Sequence, residues 1–163
     1  MDDNNFYTFR GYSLNNERSL SPSMEDYIEM IYRLSLKQSS VRVNDLSDSL
    51  NVQPPSSTKM LKRLSEIGYV NYEKYGSVNL TEKGIEIGKY LLNRHETISN
   101  FLKLIGVEHN LLEQTEKIEH AIYEETLDKI NGFIHFINDN LEINKIYMKE
   151  YKDLEWLLNI TKA

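Results

Sequence analysis

The stretch VRVNDLSDSLNVQPPSSTKMLKRLSEIGYVNYEKYGSVNLT, Val41 to Thr81, constrains the fold most, because its hydrophobic period changes from helical to extended partway along. Val43, Leu46 and Leu50 fall at the spacing of one helix face, and NVQP interrupts that face. A second helix opens with Pro55 near its first turn and Ser56 and Ser57 just behind it, where proline's missing N–H costs nothing. Its apolar positions are Leu61, Leu64 and Ile67. Lys59, Lys62, Arg63 and Glu66 fall on the other side, and Gly68 supplies a helix stop. The period then becomes two: Val70 and Tyr72, and Val78 and Leu80, alternate with polar residues around a Gly76-Ser77 turn. A short helix, a tight turn, a basic second helix and a hairpin form a winged helix-turn-helix arrangement. The expected fold is mainly α with a small β-hairpin wing. In that arrangement the second helix meets DNA. Ser56, Ser57 and Lys59 are then candidate base or phosphate contacts, with Lys62 and Arg63 on the same basic helix and Lys74 on the wing placed for a phosphate.

The flanks read as helices. SPSMED starts one: Ser21 or Ser23 can cap, Pro22 suits the first helical position, and Ser23-x-x-Asp26 has the spacing of a capping box. Met24, Tyr27, Ile28 and Ile31 share one face of a helix expected to reach about Lys37. Residues 1–20 are polar with scattered aromatics and read as a flexible arm. Thr81 can cap a long helix from about Glu82 to Ile105, with Gly88, Leu91, Leu92, His95, Ile98 and Leu102 on its apolar side. Leu111, Ile118 and Ile122 mark another helix, and Leu127, Ile130, Ile134 and Ile137 the next. The tail from Leu141, with Tyr147, Tyr151, Leu154, Trp156 and Leu158, is expected to form one more.

Composition removes several classes of function. There is no cysteine, which excludes a disulfide scaffold, a thiolate zinc site and a thiol nucleophile. No apolar run approaches the ~20 residues of a membrane span, and the acidic, polar start MDDNN is unlike a signal peptide. Together these point to the cytoplasm and to no membrane partner. The formal net charge of −6 argues mildly against nucleic-acid binding, but its distribution matters more. Between Pro55 and Tyr75, Lys59, Lys62, Arg63 and Lys74 face only Glu66 and Glu73. Between Ile105 and Ile143, Lys117 and Lys129 are the only bases among a crowd of acids that includes Glu113, Glu116, Glu119, Glu124 and Glu125. One segment is mildly basic and the other strongly acidic, as if the chain had two tasks.

The acidic segment contains TEKIEHAIYEE, where Glu116, Glu119 and His120 stand at i, i+3 and i+4. A helical wheel puts Leu111, Ile118 and Ile122 on one side and these three on the other, which read alone is a water-facing acidic surface. Leu112 and Tyr123 share that polar side, so the same wheel expects protein to cover it. His95 alone reads as a hydrogen-bonded core histidine, and Asp26 and Glu29 as capping and surface charges. Taken together, Asp26, Glu29, His95, Glu116, Glu119 and His120 supply four carboxylates and two imidazoles, a donor set that suits Mn²⁺ or Fe²⁺.

The strings PSMEDYIEMIY, PPSSTKMLKRL, YEKY, LTEKGIEIGKYLLNRHE, FLKLIGV and IEH resemble, in order and spacing, the manganese transport regulator branch of the diphtheria toxin repressor family. The likeness runs from about Pro22 to about Ile137. It implies an N-terminal winged helix-turn-helix domain, a linking helix and a helical dimerisation domain, in a metal-activated repressor of metal-uptake genes. The expected division is an arm (1–20), the winged domain (21–81), the linking helix (82–105), a metal-binding and dimerisation domain (106–141) and a C-terminal extension (142–163). By motif, the family's ligands fall on Asp26 and Glu29, on His95, and on Glu116, Glu119 and His120. The resemblance implies two Mn²⁺ ions per subunit, with Glu29 and Glu119 bridging, Asp26 and His95 completing one site, and Glu116 and His120 the other. The iron-responsive branch typically has methionine and cysteine where this chain has Asp26 and Glu116, and the harder ligands favour Mn²⁺. Fe²⁺, Co²⁺ and Zn²⁺ are possible substitutes. The arm and the tail have no clear counterpart in the short manganese regulators. Gly76 stands where close relatives can carry arginine at the wing tip.

The implied partners are a second copy of the chain and a near-palindromic DNA operator. Two rival readings differ in class. One is a winged-helix regulator indifferent to metal, which a chelator would leave unaffected. The other is a metal-dependent enzyme. Against the enzyme, Lys117 occupies the position where a Glu-x-x-His motif ending at His120 needs glutamate, and Ser99 stands where His95-Glu96 would need a second histidine.

Overall fold

The computed structural model describes residues 20–72 and 77–160, and side chains as far as Glu150. The arm, Lys74, the turn at Gly76 and the side chains of Tyr151, Leu154, Trp156 and Leu158 lie outside the described residues. In chain order the elements are α1 (Pro22–Ser35), α2 (Val43–Ser49), α3 (Pro54–Glu66), β1 (Val70–Tyr72), β2 (Val78–Leu80), α4 (Glu82–Leu104), α5 (Leu111–Glu119), α6 (Glu124–Asp139) and α7 (Leu141–Ile160). The chain divides into two compact units at Gly84/Ile85.

In the first unit, α1 packs on α2, α3 and β2. Its expected apolar face, Met24, Tyr27, Ile28 and Ile31, is buried along its whole length. Burial of each such aliphatic side chain stabilises the unit by about 1.5–3 kcal/mol. The helix begins at Pro22 with Ser21 as cap, through the Met24 and Glu25 N–H groups on Ser21 O rather than through a side chain. The Ser23–Asp26 capping box is therefore not formed, because both residues already lie inside the helix. α2 stops at Asn51, which takes the left-handed conformation (φ 52°) and lets Asn51 N–H and Val52 N–H bond back to Asp48 O and Ser47 O. α3 stops in the same way at Gly68 (φ 79°), with Gly68 N–H on Ser65 O and Tyr69 N–H on Leu64 O. That stop explains one departure from expectation. Leu61 and Leu64 are fully buried, but Ile67 is the cap residue, has left the helical stripe, and is 39% exposed.

The hairpin is antiparallel, with Val70 opposite Leu80 and Tyr72 opposite Val78, and Val70 and Val78 point into the core. Val41 adds a single bridge to Val78, with Val78 N–H donating to Val41 O at 2.8 Å. Thr81 closes the unit. Its hydroxyl donates to Gly68 O (2.8 Å) and accepts the Gly84 N–H (3.1 Å), capping α4 as its sequence position suggested. Gly84 is required here for a steric reason: a Cβ at this position would lie 2.1 Å from Tyr69 O.

In the second unit, Ile98 and Leu102 of α4 and Leu127 of α6 form the centre of the core, with Tyr90, Phe101, Ile105, Ile118, Ile122 and Ile130 against them. α4 ends at Gly106 (φ 92°) with the same pair of backbone bonds as α3, to Lys103 O and Leu102 O. α5 is shorter than expected. It ends at Glu119 with His120 as cap, so Ile122 reaches the core from the following turn and not from the helix. The edge of Phe101 meets Phe133 with ring centroids 6.2 Å apart, and Tyr147 OH donates to Ile105 O at 3.1 Å, tying α7 to the end of α4. Phe133, Phe136, Leu141, Ile143 and Ile146 are exposed on α6 and α7. Among the described residues no helix is long and apolar enough to cross a membrane.

Two glycine substitutions separate steric clash from backbone strain. Gly68→Ala has open space but a left-handed backbone and should cost about 1–2 kcal/mol. Gly84→Ala must displace the Tyr69 carbonyl and should cost at least that, toward the ~3 kcal/mol of an overpacked site. Urea unfolding of both variants, read at equal slope, gives the comparison.

Candidate metal centre and DNA-facing helix

Asp26 and Glu29 sit one turn apart on α1 in the first unit. Glu29 is buried, and Arg33, one turn on, donates from Nε to its Oε1 at 2.8 Å. The second unit gathers the other four candidates. His95 comes from the middle of α4, Glu116 and Glu119 from the last turn of α5, and His120 from its cap. Glu119 is 1% exposed. His95 Nδ1 lies 2.9 Å from Glu119 Oε2 and 3.5 Å from Glu116 Oε1, and His120 Nε2 lies 3.8 Å from Glu119 Oε1. One ligand atom each from Glu116, Glu119 and His120 falls within 4.8 Å of the others.

This arrangement corrects the reading of TEKIEHAIYEE as a water-facing surface. Glu119 and Thr115 are buried, while Glu116 remains half open at the mouth. The polar side is covered at Glu119, as the wheel expected, although Leu112 and Tyr123 themselves are exposed at 66% and 54%. The helix ends before Tyr123, so the wheel that grouped it with the polar residues no longer applies there.

The donors fit a divalent cation. Glu119 Oε2 is buried and has no hydrogen-bond partner among the described residues, so the 2.9 Å approach of His95 Nδ1 is not aligned as a hydrogen bond. A buried carboxylate oxygen in that condition is costly unless a cation takes its lone pair. The set is carboxylate and imidazole with no thiolate, which suits Mn²⁺ or Fe²⁺ chemistry. Elsewhere in the acidic segment, the hydrogen bond and charge of Lys117 hold the Glu113 carboxyl below the usual carboxylate range. That pair is on the surface and takes no part in the cluster.

One member of the site was not found from sequence. Arg94, only 2% exposed, directs Nη2 to His120 Nδ1 at 3.2 Å. The signal was available: Arg94 stands three residues after Leu91 and four before Ile98, both fully buried, so the inward stripe of α4 passes through a cation.

On α3, Ser56, Lys59, Lys62 and Arg63 are exposed, as a face that meets DNA requires. Ser57 is not available to it. Its side chain is fully buried, and its Oγ sits between Tyr27 OH (3.0 Å) and Ser47 Oγ (2.8 Å), joining α1, α2 and α3. The expected DNA contact at Ser57 is thus replaced by a structural one. Helix geometry turns Ser57 about 100° from Ser56, onto the stripe that continues through Leu61 and Leu64.

Comparison with known proteins follows the same division. Residues 19–78 match the family described as iron dependent repressor, N-terminal DNA binding domain, and residues 81–148 match its metal binding and dimerisation domain. The chain is 41% identical over 126 residues to the HTH-type transcriptional regulator MntR of Lysinibacillus sphaericus, covering 77% of this chain and 91% of that protein. It is also 41% identical over 121 residues to the MntR of Bacillus subtilis, covering 74% and 85%. Among solved structures, the manganese regulator SloR shares the fold with a TM-score of 0.63 and 24% identity over 72% of this chain, which spans 55% of the SloR chain.

Ser57→Ala should lower the unfolding free energy by about 1–3 kcal/mol, because it strips partners from two buried hydroxyls. Ser56→Ala, on the exposed side of the same turn, should change it by no more than about 0.5 kcal/mol. Denaturant midpoints of the two variants test the assignment.

Proposed function

We propose that this chain, which belongs to the iron-dependent repressor family, is a manganese-responsive DNA-binding transcriptional regulator rather than an enzyme. The observation that carries this reading is the buried Glu119 carboxylate with two imidazoles turned toward it. The names of its relatives, HTH-type transcriptional regulators and a manganese regulator, support both the DNA and the metal.

The residues proposed to hold the metal are Asp26, Glu29, His95, Glu116, Glu119 and His120, which would together bind two Mn²⁺ ions per subunit. A bound divalent cation supplies the positive charge that lets these carboxylates share one place. Fe²⁺, Co²⁺ and Zn²⁺ can occupy the same donors, and Zn²⁺ binds such sites more tightly than Mn²⁺ in general. The chain's own residues connect ligand to DNA. Tyr27 lies between Asp26 and Glu29 on α1, and its hydroxyl meets Ser57 on α3. Fixing α1 through its carboxylates therefore fixes the helix that carries Ser56, Lys59, Lys62 and Arg63. We place Lys74 with these as a phosphate contact. The functional division follows residues 21–81 for DNA, 82–105 as a linking helix and 106–141 for metal and dimer contacts.

The dimer is proposed to form through Phe133, Phe136 and Leu141, exposed apolar residues within 106–141. Two copies present two α3 helices, and half-sites on DNA then demand a fixed spacing, so the operator is near-palindromic. Holding that spacing is the step that metal favours, with a coupling of about 1–3 kcal/mol between metal and DNA. Repression of metal-uptake genes in the cytoplasm is the physiological setting this implies.

Two variants test the reading. Glu119→Ala should abolish the gain in DNA affinity that Mn²⁺ gives over chelator at fixed salt. An unchanged gain would sink the proposed site. Lys59→Ala should weaken Mn²⁺-loaded binding to all sequences alike and reduce the slope of log affinity against log salt by about 1. Fluorescence anisotropy across a salt series reads both.

A further inference from the structure

We infer that Arg94 is a gate on the metal site, holding His120 in the form that does not ligate until a cation displaces it. This inference rests on the proposed function and adds the way the site is kept closed. Arginine carries five N–H donors and no acceptor. Its Nη2 stands 3.2 Å from His120 Nδ1, so that nitrogen must present its lone pair, and the neutral ring then carries its proton on Nε2. Nε2 is the nitrogen that faces Glu119, at 3.8 Å from Oε1. A ligand nitrogen needs a free lone pair. While Arg94 holds Nδ1, the nitrogen turned toward the carboxylates is blocked by its own proton.

Loading the site through Nε2 requires that proton to leave Nε2 and Nδ1 to become the N–H. An Nδ1–H cannot face the Arg94 donors, so the guanidinium must withdraw and Nδ1–H must find an acceptor. Were Nδ1 the ligand instead, the same guanidinium would stand in the cation's place. Losing the Arg94–His120 hydrogen bond weakens metal binding and raises the metal concentration at which the site fills. Glu29 shows a parallel arrangement in the first unit, where Arg33 already occupies one carboxylate oxygen.

The test uses the full chain. Nitrogen-15 spectra of the imidazole rings should show metal-free His120 protonated on Nε2, and titration with diamagnetic Cd²⁺ should move the proton to Nδ1. Arg94→Met, which keeps the bulk and removes the donors and charge, should bind Mn²⁺ at least ~10-fold more tightly, the scale of one charge-assisted hydrogen bond. Electron paramagnetic resonance of free Mn²⁺ measures this, and Arg94→Lys should return the affinity toward that of the unaltered chain. Metal-free His120 protonated on Nδ1, or an Arg94→Met chain with unchanged or weaker Mn²⁺ affinity, would overturn the gate alone. Absence of any Mn²⁺ or Cd²⁺ binding by the unaltered chain would overturn the proposed function and the gate with it. The ring spectrum of the unaltered chain decides the matter even if Arg94→Met does not fold.

Discussion

A carboxylate buried as deeply as that of Glu119 must be compensated, and much of the second unit can be understood from that requirement. An isolated buried charge costs several kcal/mol even after the protein relaxes around it. The donors that would share a cation with it come from two elements. α4 supplies His95 from its middle, and the end of α5 supplies His120 as the cap next to Glu119 itself. The core of Ile98, Leu102 and Leu127 clamps α4 to α6, and Thr97 adds a hydrogen bond to Asn131 at 3.1 Å one turn from Arg94. The early stop of α5 matters as well. Had the helix continued to Ile122, His120 would sit within a helix rather than at the start of a turn. Imidazole and carboxylate without thiolate then set the chemistry toward hard and borderline cations.

The first unit depends on a different interaction, the hydroxyl contact of Tyr27, Ser57 and Ser47. It joins three helices at a point where all three residues are nearly or fully buried. Because Tyr27 shares a turn with Asp26 and Glu29, the carboxylates of α1 and the exposed cations of α3 belong to one packed, hydrogen-bonded unit. The same residue type thus does two jobs one position apart: Ser56 faces outward and Ser57 holds the helices together.

The fold was largely legible because two periods are written plainly in one segment. The helical stripes that include Leu46 in one stretch and Leu61 and Leu64 in the next, and the alternation at Val70 and Val78, give helices and hairpin directly, and all five residues are buried. Helix ends were legible where glycine marks them, at Gly68, and where threonine caps, at Thr81. What was not legible has a common cause: a helical wheel assumes that the helix continues. Ile67 and Tyr123 lie at or beyond a stop and depart from the place the wheel assigns, while Ile122, also beyond a stop, reaches the core from a turn instead of a helix. The Ser23 capping box failed for the complementary reason, since the helix had already begun at Pro22. In the cluster, His95, Glu116, Glu119 and His120 were chosen from residue type and from resemblance, and the second unit brings them together. Arg94 escaped because a cation is not sought among ligands for a cation. Ser57 was misassigned because a serine is not sought on an apolar stripe, although it stands four and seven residues before the buried Leu61 and Leu64.

The central claim is that metal controls specific DNA recognition by this chain. Selection of bound fragments from a random duplex DNA pool, at one salt concentration, with Mn²⁺ and separately with chelator, tests it most directly. The account predicts enrichment of a near-palindromic sequence with Mn²⁺ alone. Equal enrichment under both conditions would contradict it, leaving a DNA-binding protein whose buried carboxylate and imidazoles serve some other purpose.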